Sequence, residues 1–235
     1  MKARVLAWGV HLFTALGLLA AGGMAALIVR GGDDSIRGAF ALMLVATVVD
    51  AVDGSLARWA RVGKVLPEFD GRRLDDIIDF QTYTSLPLFL MWRAGLAPGW
   101  ALAPPLLASA YGFCRVQAKT DDGYFLGFPS YWNIVAFYCY FLGLTQVVVV
   151  AVVLLLAALT FVPTRYLYPT QGGPLNRVTI VLAVPWTAML VAICLGWREC
   201  VWWSLYFPAY YMGTSWWVSA KRLISRKGAE TQRTH

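Results

Sequence analysis

Residues 131–162 read YWNIVAFYCYFLGLTQVVVVAVVLLLAALTFV, 32 residues without a charged side chain. One straight helix of that length would reach about 48 Å, against a bilayer core of about 30 Å. The run is therefore read as two helices meeting near Gly143. Working outward, apolar runs at 5–29, 36–58, 76–95, 98–117, 176–196 and 200–220 each have the length of one membrane crossing. With the split run, eight spans are expected. The fold class is an all-α, polytopic integral membrane bundle, with 1–235 forming a single domain.

Charge placement supports the even count. With the N-terminus in the cytoplasm, eight spans put sixteen of the 20 Lys and Arg on inner segments. Only Arg30, Arg37, Arg93 and Arg198 fall outside, as the positive-inside rule requires. A seven-span chain would put the basic tail from Lys221 outside. The expected location is a bacterial inner membrane with both termini cytoplasmic. Ten tryptophans fall near proposed helix ends, at headgroup depth, and only Trp186 lies mid-span. The N-terminal run lacks a small-residue cleavage site and is kept as the first helix.

Composition agrees. The chain is 59% apolar and 14% charged, with a mean hydropathy of +0.58, which excludes a water-soluble globule and a disordered tail. The net charge of +7 belongs to inner loops beside anionic lipid rather than to nucleic-acid binding. Cys114, Cys139, Cys194 and Cys200 lack metal-ligand spacing and are read as small buried hydrophobes. Pro87, Pro104, Pro105, Pro185 and Pro208 within spans predict local kinks.

Acidic residues in a span are costly and mark function. Seven of the 13 fall within 50–79. Asp50 and Asp53 share a helix face with Ala57. Gly71, Asp75 and Asp79 share another, and Asp76 is rotated about 100° away. Two helices joined by a cytoplasmic loop can thus aim four carboxylates at one point. Unneutralised, they would repel and take up protons. Oxygen-only ligands suit two Mg²⁺ or Mn²⁺ ions. Gly54, Ala57 and Gly71 leave backbone open to a bulky ligand, and Arg58 offers a fork of donors for phosphate. The plainer alternative is that some of these aspartates cap a helix or pair with Arg72 and Arg73.

The pattern Asp50-x2-Asp53-Gly54-x2-Ala57-Arg58, then Gly71-x3-Asp75-x3-Asp79, resembles the signature of the CDP-alcohol phosphotransferases. Twelve residues separate Arg58 from Gly71, a longer spacer than most of the family carries. That spacer, with PEFDGRRLDD at 67–76 and GFPSYWN at 127–133, resembles the bacterial phosphatidylcholine synthase branch. The resemblance implies transfer of a phosphatidyl group from CDP-diacylglycerol to free choline, with release of CMP. It implies that Asp50, Asp53, Asp75 and Asp79 bind the two ions and that Asp79 is also the general base. It further implies that Asp53, Gly54, Ala57, Arg58 and Gly71 face the nucleotide and diphosphate, and that the protein is a homodimer.

Choline donates no hydrogen bond from its ammonium, so aromatic faces should select it. Tyr83, one turn beyond Asp79, is the first candidate and Tyr111 on the next span the second. Tyr131 and Trp132 are weaker. Arg115 and Lys119, four apart at the inner end of the fourth span, could reach a phosphate. Ser130 is expected to cap the fifth helix. The same chemistry with serine, inositol or glycerol phosphate is the nearest alternative. A divalent-cation transporter would spread its acids over several depths, whereas here they bunch at one face.

Overall fold

A computed structural model describes residues 1–120, 122–168 and 175–233, with side chains described as far as Arg222. The basic tail beyond Arg222, and His235, lie outside the described side chains. The order is α1 (Lys2–Arg30), α2 (Asp33–Trp59), α3 (Val62–Val65), α4 (Gly71–Asp79), a π-helical turn (Phe80–Ser85), α5 (Leu86–Arg93), α6 (Gly99–Cys114), β1 (Tyr124–Leu126), α7 (Trp132–Phe141), α8 (Gln146–Leu159), β2 (Arg165–Leu167), α9 (Asn176–Cys194), α10 (Cys200–Ser204) and α11 (Tyr206–Arg233). It is a helical bundle. Among the described residues α1, α2 and α9 are long and apolar enough to cross a membrane, and α8 is a shorter apolar helix.

The run at 131–162 breaks where expected: α7 ends at Phe141, Gly143 has φ 62°, and α8 begins at Gln146. The run at 76–95 is longer than its apolar part, because Asp70 accepts a hydrogen bond from the Arg73 amide and starts α4 at Gly71. Pro87 has no amide to donate to the Tyr83 carbonyl, and the turn just before it is π rather than α. The predicted kink is therefore a local change of hydrogen-bond register.

α1 and α2 form the most extensive helix pair. Small residues set their approach: a Cβ on Gly23 would lie 2.8 Å from Leu42, and one on Gly38 would lie 3.2 Å from Leu27. The core continues through Met24, Ile28, Phe40, Met91 and Phe137, all buried. Nine tryptophans are exposed, seven of them at or near helix ends in keeping with an interfacial belt, while Trp216 and Trp217 lie within α11. Trp132 is not among them; it is fully buried and donates to Ser109 Oγ at 2.7 Å. The four cysteines are free, with Cys139 buried and Cys114 exposed, so the buried-hydrophobe expectation fails at Cys114.

Two short strands were not expected. β1 and β2 pair antiparallel, with Tyr124 opposite Leu167 and Leu126 opposite Arg165. Residues 118–120 add to β1 through a bridge between Lys119 and Phe125. Because α6 stops at Cys114, Arg115 and Lys119 do not share a helix face; Arg115 is extended and Lys119 belongs to this hairpin. The chain leaves β1 through Gly127 at φ 86°, where a Cβ would lie 2.1 Å from the Thr160 carbonyl oxygen. Only glycine fits there. Ser130 does not cap α7: it is buried at φ 59°, and Tyr131 precedes the helix without a side-chain cap.

The bundle has two chemically distinct ends. At one, Asp33 meets Arg198 at 2.9 Å, Arg37 at 3.6 Å and the Tyr140 hydroxyl. At the other, Arg4 pairs with Glu68 and the hairpin joins β2. Asp50 lies 17 residues along α2 from Asp33, about 25 Å at 1.5 Å per residue.

Candidate functional site

Asp50 comes from α2, while Asp75 and Asp79 are one turn apart on α4. One carboxylate oxygen from each lies within 4.8 Å of the other two. All three are half-buried. Oδ1 of Asp79 is buried and has no hydrogen-bond partner among the described residues. Hard oxygen ligands converging with an unsatisfied buried acceptor form a donor set that fits a divalent cation. Asp76 stays out of the cluster, as its rotation on the helix predicted.

Asp53 also stays out of this trio. It is buried one turn further along α2, with the Thr14 hydroxyl of α1 close to its carboxylate. The structure thus brings three of the four expected aspartates together and holds the fourth beside them against a different helix.

Tyr83 reaches the cluster through its hydroxyl. Its ring is buried, and its hydroxyl donates to Asp50 Oδ2 at 2.8 Å. One turn back on α2, Thr47 Oγ1 accepts from Asn133 Nδ2 at 3.2 Å, tying α7 to the same stretch. Tyr111 is not at the cluster: it is exposed, and its ring packs on Phe161 at 5.0 Å.

The glycine and arginine positions divide. Gly54 and Ala57 are half-buried on α2 and Arg58 is exposed, donating to Ser55 Oγ at 3.0 Å. Ala57 and Arg58, with Arg61, Val62, Gly63 and Lys64, line an open depression of about 400 Å³. Three cations on its rim suit a diphosphate. Gly71 faces inward: a Cβ there would lie 2.5 Å from His11 Cε1. His11 is itself packed against Phe69 at 4.4 Å and Trp8 at 5.8 Å. That neighbour of Gly71 was not anticipated, since His11 stands alone in α1 by sequence.

The hairpin adds Asp122, which sequence patterning did not single out, and Lys119, which was read there with Arg115 as a phosphate contact. Lys119 is the cation whose charge acts on Asp50, Asp75 and Asp79 together. Beneath the hairpin, Asp122 meets Arg165 at 2.5 Å and Arg222 at 2.8 Å. Against the upward push of burial, the Thr120 hydroxyl and those two guanidiniums hold the Asp122 carboxyl down at about 2.

No protein-family model matches the chain. Among curated proteins it is similar to the phosphatidylcholine synthase of Pseudomonas aeruginosa, 37% identical over 230 residues that cover 92% of each chain. It is 41% identical over 170 residues to the phosphatidylcholine synthase of Legionella pneumophila, covering 70% of this chain and 66% of that one. It is 33% identical over 188 residues to that of Borreliella burgdorferi, covering 77% of each.

Proposed function

The chain belongs to the phosphatidylcholine synthase family of CDP-alcohol phosphotransferases, and on that premise we propose that it transfers a phosphatidyl group from CDP-diacylglycerol to choline. The observation that carries the reading is the meeting of Asp50 with Asp75 and Asp79, their oxygens within 4.8 Å of one another.

Asp50, Asp75 and Asp79 would hold one divalent ion, Mn²⁺ or Mg²⁺, and Asp53 would join them for a second. Such ions neutralise the diphosphate charge and polarise its phosphoryl oxygens. Arg58, Arg61 and Lys64 on the open depression orient the cytidine-side phosphate from the water side. The acyl chains remain in lipid.

Asp79 takes the hydroxyl proton of choline as its oxygen attacks the phosphorus that carries the diacylglycerol. A P–O bond forms to choline while the P–O bond to CMP breaks, and CMP leaves with that electron pair. The unpartnered Asp79 Oδ1 gives this proton an acceptor that no donor among the described residues occupies. The site opens to the cytoplasm in an eight-span arrangement.

The test offers the purified chain CDP-diacylglycerol with choline, serine, inositol or glycerol phosphate, each with Mn²⁺, Mg²⁺ or chelator. Phosphatidylcholine and CMP in equal amounts, from choline alone and only with metal, is the expected result. A product from another alcohol at a comparable rate would replace the acceptor assignment.

A further inference from the structure

The hairpin at 118–126 fixes Lys119 through its backbone. The Thr120 amide donates to the Tyr124 carbonyl at 2.8 Å, and the Leu126 amide to the Ala118 carbonyl at 2.9 Å. From there the Lys119 ammonium lies 5.9 Å from the centroid of the Phe125 ring and 5.2 Å from that of Tyr168. The two rings are 4.3 Å apart and inclined by 34°. An ammonium held against two ring faces is bound by charge and ring quadrupole, with no hydrogen bond needed.

This pair of rings continues toward the carboxylates. Phe125 meets Tyr131 edge-on at 6.4 Å, and Tyr131 meets Tyr83 at 6.1 Å, whose hydroxyl touches Asp50. Tyr83 is buried and engaged, whereas Phe125, Tyr131 and Tyr168 are half-buried. An acceptor lying along this wall can have a cationic head at Phe125 and Tyr168 and a hydroxyl toward the aspartates.

We infer that Phe125 and Tyr168, backed by Tyr131, bind the quaternary ammonium of the acceptor, and that Lys119 is a resident stand-in displaced when the acceptor arrives. The inference rests on the choline reading above. A lysine ammonium keeps three donors that favour water, and Lys119 is exposed, so it can leave the rings at little cost. A trimethylammonium has no donor to satisfy and covers the ring faces with methyl groups. Inositol gains nothing from such a cage, and serine would set its carboxylate beside the rings.

The experiment uses the full chain in lipid nanodiscs. It measures KM for choline, KM for CDP-diacylglycerol, and the Kd of tetramethylammonium, which cannot react. Phe125→Leu and Tyr168→Leu should each raise KM for choline and the tetramethylammonium Kd by about 2- to 30-fold, leaving KM for CDP-diacylglycerol unchanged. Tyr168→Phe keeps the ring and should stay near wild type. Lys119→Met should bind tetramethylammonium more tightly; weaker binding overturns the stand-in role. Leucine variants with both constants at wild-type values overturn the cage. Should those variants not fold, the wild type still decides: saturating tetramethylammonium should raise acylation of Lys119, read by mass spectrometry, and unchanged acylation overturns the proposal. A wild type that makes no phosphatidylcholine from choline sinks the substrate reading itself. Normal turnover with an insensitive KM sinks only the cage.

Discussion

The phenol of Tyr83 donates a 2.8 Å hydrogen bond to Oδ2 of Asp50, linking the π-helical turn to α2. The bond fixes the Asp50 carboxylate, one oxygen of which lies within 4.8 Å of oxygens of Asp75 and Asp79. Under the proposed function Tyr83 would thus position a metal ligand. Tyr83→Phe keeps the ring but strands Asp50 Oδ2, a loss of about 1.5–3 kcal/mol for a bond to a charged group. Mn²⁺ affinity, titrated by EPR without substrate, should fall about 10- to 100-fold. KM for choline should change little. The reverse pattern would return Tyr83 to the acceptor site.

Asp53 separates from the trio, and this predicts unequal roles in metal binding. Asp50→Asn, Asp75→Asn or Asp79→Asn should each abolish the tighter Mn²⁺ site. Asp53→Asn should preserve that site and lose the second, reducing stoichiometry from about two to about one. Equal loss of both ions in Asp53→Asn would contradict the arrangement. Thr14→Val, which removes the hydroxyl from Asp53, should weaken the second site only.

The carboxylate cluster was legible because helical spacing fixes faces: Asp75 and Asp79 are four apart, and Asp50 faces them across one loop. The break at Gly143 was legible from length alone. The role of Tyr83 was not, because its i, i+4 offset from Asp79 says nothing about which helix its hydroxyl meets. Lys119 was read as helical because nothing local marks Cys114 as the end of α6. The pairing of 124–126 with 165–167 joins short segments about forty residues apart, and such non-local pairing leaves little periodic trace in sequence. Trp132 looks interfacial by position, and only its Ser109 partner shows why it is buried.

Gly71 tests whether a small residue serves a ligand or a neighbour. Its missing Cβ admits His11, which Phe69 and Trp8 confine. Gly71→Ala should destabilise the protein by about 1–3 kcal/mol through overpacking. His11→Ala combined with Gly71→Ala should recover thermal stability. If the double variant is stable yet still binds CDP-diacylglycerol poorly, Gly71 also faces the nucleotide.

Asp122 anchors the hairpin to β2 and α11. Its carboxyl is lower in the folded protein than in the unfolded chain, so its stabilisation is full above the ordinary carboxylate range and fades as pH falls toward about 2. With Asp122 and Arg222 nearly half-exposed, the contribution is about 1 kcal/mol or less. Asp122→Asn should lower the melting temperature in detergent at pH 7. The gap from wild type should narrow below about pH 4 and close by about pH 2. A gap independent of pH would assign the effect to shape rather than charge.

The two ends of the bundle predict its orientation. Arg37 and Arg198 both meet Asp33, and Arg93 reaches the Val29 carbonyl close by in the chain. With Arg30, the last residue of α1, all four basic residues assigned to the outside therefore gather where α1 turns into α2. Lys64, Asp122 and Arg222 belong to segments following the opposite ends of α2, α6 and α11's apolar part. This predicts that Arg198→Cys, in a Cys114→Ser background, reacts with an impermeant maleimide applied to intact cells, and that Lys64→Cys reacts only after the membrane is opened. The positive-inside rule and the need to return CMP to the cytosol require the same sense. Labelling of position 64 but not 198 in intact cells would invert the protein and move the aspartates to the outer face.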